Sequence, residues 1–383
     1  MKDEDLLAPV VSEDELNPNF KHLITRRGHQ PHREMLRALW EEFPNPDGGF
    51  VRDFQTEHFD RLLWELYVFA VGSTGPFKVS RPYTSPDFLF EHSEMEIWVE
   101  ATTANPSPRH PSREGEKTED EIIREMHEEV PVKLGSALYS KLQERYWERP
   151  HVAGKPLVFA IGDFSQGAGA RHSDAALLRY LYGQDERVIS LPGEVVRLEQ
   201  IPIETHTAWK TIPSGFFKLP DADNVSAVLF SNEGTLPKFG RMSFDFERHP
   251  SVRMWRVGGR IDFDPTATYP KAFGYLVGDV PEDWAHGAYV YHNPNAKHPI
   301  PLHVFRGIGG QHWMAEGVPD NELREFSPLS SITFTVEAKE GHGFTPEADA
   351  LFRERVRQMV RDLDAENART LTYHAWRDKL IDR

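Results

Sequence analysis

Apolar positions along the chain repeat with two different periods, and the switches between them mark out the elements. From Glu57 to Val71 the run EHFDRLLWELYVFAV is apolar nearly all round at helical spacing, which predicts a helix buried on most sides and ended by Gly72. Three strand-like stretches follow, Phe77 to Arg81, Asp87 to Glu91 and Met95 to Thr102, the last two joined as a hairpin through His92 and Ser93. The acidic stretch Lys117 to Glu129 opens a helical region, and Pro131 suits the first turn of the next helix, which runs through Tyr146. Lys155 to Asp163 (KPLVFAIGD) is short and almost wholly apolar, the pattern of a strand covered on both faces.

On either side of this region the texture differs. The first fifty residues mix Pro, Asn and charge around one amphipathic piece, His32 to Phe43, stopped by Pro44 and Pro46. Beyond Gly183, short Val, Ile and Phe runs are broken by Pro and Gly, before a last amphipathic helix from Pro346 to Asn367. The prediction is an α/β protein with an N-terminal appendage (1–50), a core (51–185) and a mixed, strand-rich α+β extension or second domain (186–383). No repeat of solenoid or propeller length and no low-complexity tract interrupts it.

Composition narrows the chemistry. With 383 residues, 39% hydrophobic and 27% charged, the chain can bury a sizeable core. No apolar stretch approaches the roughly 20 residues that cross a bilayer, and the N-terminus is acidic without a signal-peptide apolar region. A cytoplasmic protein with no membrane partner is therefore expected. Cysteine is absent, so only His, Asp and Glu are available to hold a metal. The 44 Lys and Arg against 60 Asp and Glu give a net charge of −16, so nucleic acid would have to meet a local basic face.

Acids in apolar settings stand out against this background. In the strand EIWVEAT, Trp98, Glu100 and Thr102 share one face and Ile97, Val99 and Ala101 the other, which sets Glu100 deep in an apolar strand. A carboxylate there needs a salt bridge, hydrogen bonds or a cation. Asp87 lies thirteen residues earlier, across the hairpin, so both acids fall near one end of adjacent strands; Pro86-Asp87 is also ordinary turn chemistry. Glu65 sits in mid-helix between Leu62 and Leu66, either joining the same cation or occupying a narrow exposed strip.

Taken together, Glu57 to Asp163 resembles the PD-(D/E)xK, or restriction-endonuclease-like, nuclease superfamily, whose common core runs helix, three strands, helix, strand. Pro86 and Asp87 match the first half of its motif, Glu100 the acid of the second half, and Glu65 the acid often supplied by the first helix. Thr102 stands where the family usually has Lys, and the resemblance allows that lysine to come from the following helix. Lys141 falls inside the apolar stripe of Leu134, Leu138 and Leu142, either as that lysine or as a side chain snorkelling to water, with Lys133 at the stripe's edge and Arg145 one turn on. The resemblance implies magnesium- or manganese-dependent phosphodiester hydrolysis, with Glu65, Asp87 and Glu100 as ligands and Lys141 stabilising the transition state. The expected substrate is DNA before RNA, with a homodimer among the open assembly states. Arg109 and Arg113, in the Pro-rich loop ANPSPRHPSREG, would track a phosphate backbone with Arg145 and Lys133.

Two alternatives remain open at this point. A protein of this fold that has lost catalysis would be a binding or assembly module, and an unrelated α/β hydrolase would place a deep apolar pocket away from these acids. A literal copy of the motif, Pro319-Asp320 with Glu337-Ala338-Lys339, lies in the wrong context: Asp320 opens a helical turn, and Glu337 with Lys339 reads as an exposed strand-end ion pair. The turn HNPNAKHP (292–299) and the loop 162–171 read as connections, without a complete ligand set or phosphate fingerprint.

Overall fold

A computed structural model describes residues 4–44, 48–104, 118–164, 173–189, 197–260, 271–305, 308, 311–313 and 328–369. Its centre is a mixed seven-stranded sheet in the order β1 (Lys78–Ser80), β2 (Phe88–Glu91), β3 (Glu96–Ala104), β4 (Leu157–Asp163), β5 (Ala227–Ser231), β6 (Ala288–His292) and β7 (Gln311–Trp313). β1, β2 and β3 form an antiparallel meander; β3, β4 and β5 run parallel; β6 is antiparallel to β5 and parallel to β7. The parallel pairs need crossovers, and helices supply them. Helical chain from Glu119 to Gln143 lies between β3 and β4, and the helix Ser173–Tyr182 between β4 and β5.

Strand alternation decides what each face meets. Ile97, Val99 and Ala101 of β3 join one core with Val158 and Ala160 of β4 and the helix Phe59–Thr74. Trp98 joins a second core on the opposite face, with Phe159, Ile161 and the helix residues Leu134, Leu138 and Leu142. β4 is buried at all seven positions, as its unbroken apolar run requires.

The helix Phe59–Thr74 is apolar all round because both of its sides are covered. The sheet takes one side, and the first fifty residues take the other: Leu6, Leu16, Phe20, Leu23, Leu36, Trp40, Phe43 and Phe50 belong to the same core. That segment, expected as an appendage, is built into the core. Gly72 does not end the helix, which continues to Thr74. Its missing side chain instead admits β1 and β2, since a Cβ there would lie 2.5 Å from Cζ of Phe90.

The chain after residue 185 extends the same sheet through β5, β6 and β7. It also forms a separate antiparallel sheet in which Val252–Arg260 pairs with Lys271–Leu276 and Pro328–Glu337, with the helix Pro346–Arg369 packed on it. Among the described residues, no helix is long and apolar enough to cross a membrane.

Candidate active site

The acidic positions meet where β2 stops and β3 continues. The ladder between these strands ends at Phe88 opposite Val99, so one step further Asp87 faces Glu100. With β2 ended on that side of β3, the Ala101 N–H is taken by the Asp87 side chain, donating to Oδ2 at 2.7 Å. The register thereby converts a gap in the sheet into a notch lined by carboxylates.

Glu100 points to the same face as Trp98 and is 4% exposed. Lys141 Nζ donates to its Oε1 at 2.6 Å, Tyr146 Oη donates to the same oxygen at 2.9 Å, and Ser85 Oγ donates to Oε2 at 3.3 Å. Burial, and then the Glu100 charge beside it, push the Tyr146 hydroxyl above its ordinary value, which keeps it a donor. Lys141 thus turns inward to a carboxylate, its side chain 28% exposed, rather than snorkelling away.

Glu65 approaches from the opposite face of the sheet, and Arg81 links it to the notch. Arg81 Nη1 lies 3.0 Å from Glu65 Oε2 and its Nη2 3.6 Å from Asp87 Oδ1. The first contact sets Glu65 Oε2, a buried oxygen, directly against the guanidinium. The Arg81 guanidinium is held between the rings of Phe43 and Phe88, 5.1 Å from each centroid, so a residue of the N-terminal segment helps to build the site. Arg61 reaches Glu65 at 3.6 Å from the half-exposed rim.

Negative charge is under-compensated here. Burial raises the Glu65 carboxyl, against the pull of Arg81 and Arg61, and Glu100 adds to the rise. Burial, then Glu100 and Glu65, push Asp87 well above the carboxylate range. Among the described residues, no group of three or more His, Asp or Glu is gathered closely enough to hold a metal ion.

Several expected site residues lie elsewhere. The helix carrying Lys141 ends at Gln143, and Arg145 adopts φ 49° and ψ 46°, so helical phase no longer places it. Exposed, it pairs with Glu148 at 2.7 Å and Asp221 at 2.8 Å instead of facing Glu100. Lys133 is half-buried on the same helix, two turns before Lys141. Arg109, Arg113 and Asp320 fall outside the described residues. Glu337 takes Arg27 and the Gly28 N–H as partners, not Lys339. In the turn 292–299, Asn293 and Lys297 tie neighbouring loops together through the Ala222 and Val225 carbonyls and Asp223.

Arg81, Tyr146 and Ser85 were not singled out in the sequence. Arg81 follows β1, Ser85 lies in the loop before β2 and Tyr146 opens a short turn after the helix that ends at Gln143, all places where periodicity carries no directional information. Comparison with protein-family models, curated proteins and solved structures finds no match for this chain.

Proposed function

We propose that the chain is a metal-dependent phosphodiesterase acting on nucleic acid, with DNA as the first substrate to test. The observation that carries this reading is the pairing of Lys141 with Glu100. An ammonium from the crossover helix reaches the strand acid that the restriction-endonuclease-like resemblance pairs with a lysine, although Thr102 occupies the usual lysine position. The run of helix, antiparallel meander, helix and parallel strand adds support, as does the placement of Asp87 opposite Glu100.

The acids would offer Mg2+ or Mn2+ the hard oxygen ligands that suit both, and Mg2+ asks for only one or two carboxylates besides waters and substrate oxygens. A cation would offset the burial, and after it the Glu100 and Glu65 charges, that hold Asp87 well above the carboxylate range. When bound, the ion would supply an activated water and draw charge from the phosphate. The chain's own part is positional. Tyr146 and Ser85 fix the Glu100 carboxylate, Lys141 presents positive charge where the phosphate oxygens gather it, and Arg81 fastens Glu65 to the Asp87 side.

One observation favours a second reading, a binding module without catalysis: Arg81 already provides a cation between Glu65 and Asp87. Cleavage of plasmid and oligonucleotides with Mg2+ or Mn2+ decides between them. The proposal expects Glu100→Ala and Lys141→Ala each to lower the rate about a hundredfold or more, and Thr102→Lys to restore part of the Lys141→Ala loss. Cleavage indifferent to both alanine variants removes it, and a wild-type protein that cuts nothing favours the binding module.

A further inference from the structure

Beside the acidic notch three rings form a built stack. Tyr83 lies flat on His151, with centroids 3.8 Å apart and planes at 7°. Trp98 braces both, at 5.9 Å from Tyr83 and 4.9 Å from His151. Trp98 is buried, whereas Tyr83 is 49% exposed. Among the described residues His151 and Trp98 are its ring contacts, and half of the Tyr83 surface is left open to solvent.

The loop carrying Tyr83 is pinned. The Ser85 carbonyl accepts from Arg149 Nη1 at 2.8 Å and from His151 Nε2 at 3.1 Å, while the Ser85 hydroxyl is the group that donates to Glu100. The same short loop therefore holds both the stack and the candidate catalytic acid. The buried Trp98 indole N–H has no acceptor among the described residues. Trp98 and Glu100 are alternate residues on one face of β3, roughly 7 Å apart along the strand, which a single nucleotide spans between its phosphate and its base. Arg149, 4.7 Å over the ring of Tyr146 and bonded to the Ser85 carbonyl, brings positive charge beside two of the residues that donate to Glu100.

We infer that Tyr83 is a stacking platform for an unpaired nucleobase, and that the notch takes single-stranded nucleic acid. In a duplex the base faces are covered by their neighbours, whereas an unpaired base can lay its face on an aromatic ring regardless of its sequence. A ring already held on His151 loses little freedom when a base arrives. The inference rests on the phosphodiesterase reading for the purpose of the platform, but its binding can be measured without any cleavage.

The test is the fluorescence anisotropy of labelled oligothymidine, and of a hairpin duplex of the same length, with the full chain in metal-free buffer. Wild type should prefer the single strand, and Tyr83→Ala should weaken single-strand binding roughly tenfold or more while leaving the duplex unchanged. Tyr83→Phe should bind as wild type does. Equal single-strand affinity of wild type and Tyr83→Ala, or no single-strand binding by wild type, overturns the platform. Tyr83-dependent binding by a protein that cuts nothing keeps the platform and removes the phosphodiesterase reading. Metal-dependent cutting lost in Glu100→Ala, with Tyr83→Ala indistinguishable from wild type, does the reverse.

Discussion

Two buried charge clusters in this protein are near opposites. In the notch, Glu65, Asp87 and Glu100 face the buried Arg81 and the partly exposed Lys141, with Arg61 screened by solvent at the rim. Where the main sheet meets the second sheet, Glu233 and Glu282 face Lys238, Arg241 and Arg256, all five almost without exposure. Burial would raise Glu233 and Glu282, but Arg256 and Arg241 overturn it for the first, and Arg241 and Lys238 for the second; both end below the ordinary range. In the notch burial wins, and Glu65 and Asp87 end above it. Burial of a carboxylate is common to both; the sign of its shift is set by the local charge balance. The positive cluster joins two sheets, and the negative one is short of a cation.

The sharpest break of this contrast is a pair of isosteric changes. Glu282→Gln removes the carboxylate that contacts all three cations and should cost about 3–5 kcal/mol in urea unfolding, because it strands buried positive charge. Lys238, already lowered to about 8 by burial against the pull of Glu282, loses the group that holds its proton. Glu65→Gln balances the notch and should lie within about 1 kcal/mol of wild type or above it. Comparable losses in both variants would show that charge balance does not distinguish the clusters.

A second test uses Arg81. If it competes with a metal for the same carboxylates, Arg81→Gln should at least double the rise in Tm produced by a magnesium titration. An equal or smaller rise would place the metal elsewhere.

The two clusters should also differ in their dependence on pH. Asp87 is raised in the folded state, so its contribution is fully present below its unfolded value of 3.8 and is lost as pH rises through the folded one. Glu282 is lowered, so its contribution is present above 4.5 and is lost as pH falls through the folded value. In urea unfolding across acid to neutral pH, Asp87→Asn should flatten a decline in stability toward neutrality, and Glu282→Gln should flatten a loss toward acid. Profiles that change in the same direction would refute the comparison. The smallest effect is expected at Arg145, whose exposed pairing should leave both Tm and cleavage of the Arg145→Ala variant at wild type. A tenfold fall in cleavage would return it to the site.

Much of this was legible in the sequence. The all-round apolar run 57–71, the alternation of EIWVEAT and the unbroken KPLVFAIGD each state how many faces of an element are covered, and the helix, the two faces of β3 and the buried β4 follow them. Glu100 and Lys141 were recognisable because a charge inside an apolar stripe needs an explanation. Arg145 was misplaced because helical phase was extended past a helix that ends at Gln143. The first fifty residues seemed detached because, outside the amphipathic piece His32 to Phe43, their apolar side chains are scattered among Pro and charge without a period of their own.

By itself, then, the sequence determined local periodicity and the burial demanded by each element, since both depend on neighbours within a few residues. Tertiary structure decided which distant groups share a charge environment. The stop of β2 opposite Glu100, the passage of Arg81 between Phe43 and Phe88, and the reach of Tyr146 and Lys141 to one carboxylate oxygen depend on packing between segments far apart in the chain. Electrostatic balance is a sum over space, and no pattern along the chain carries it.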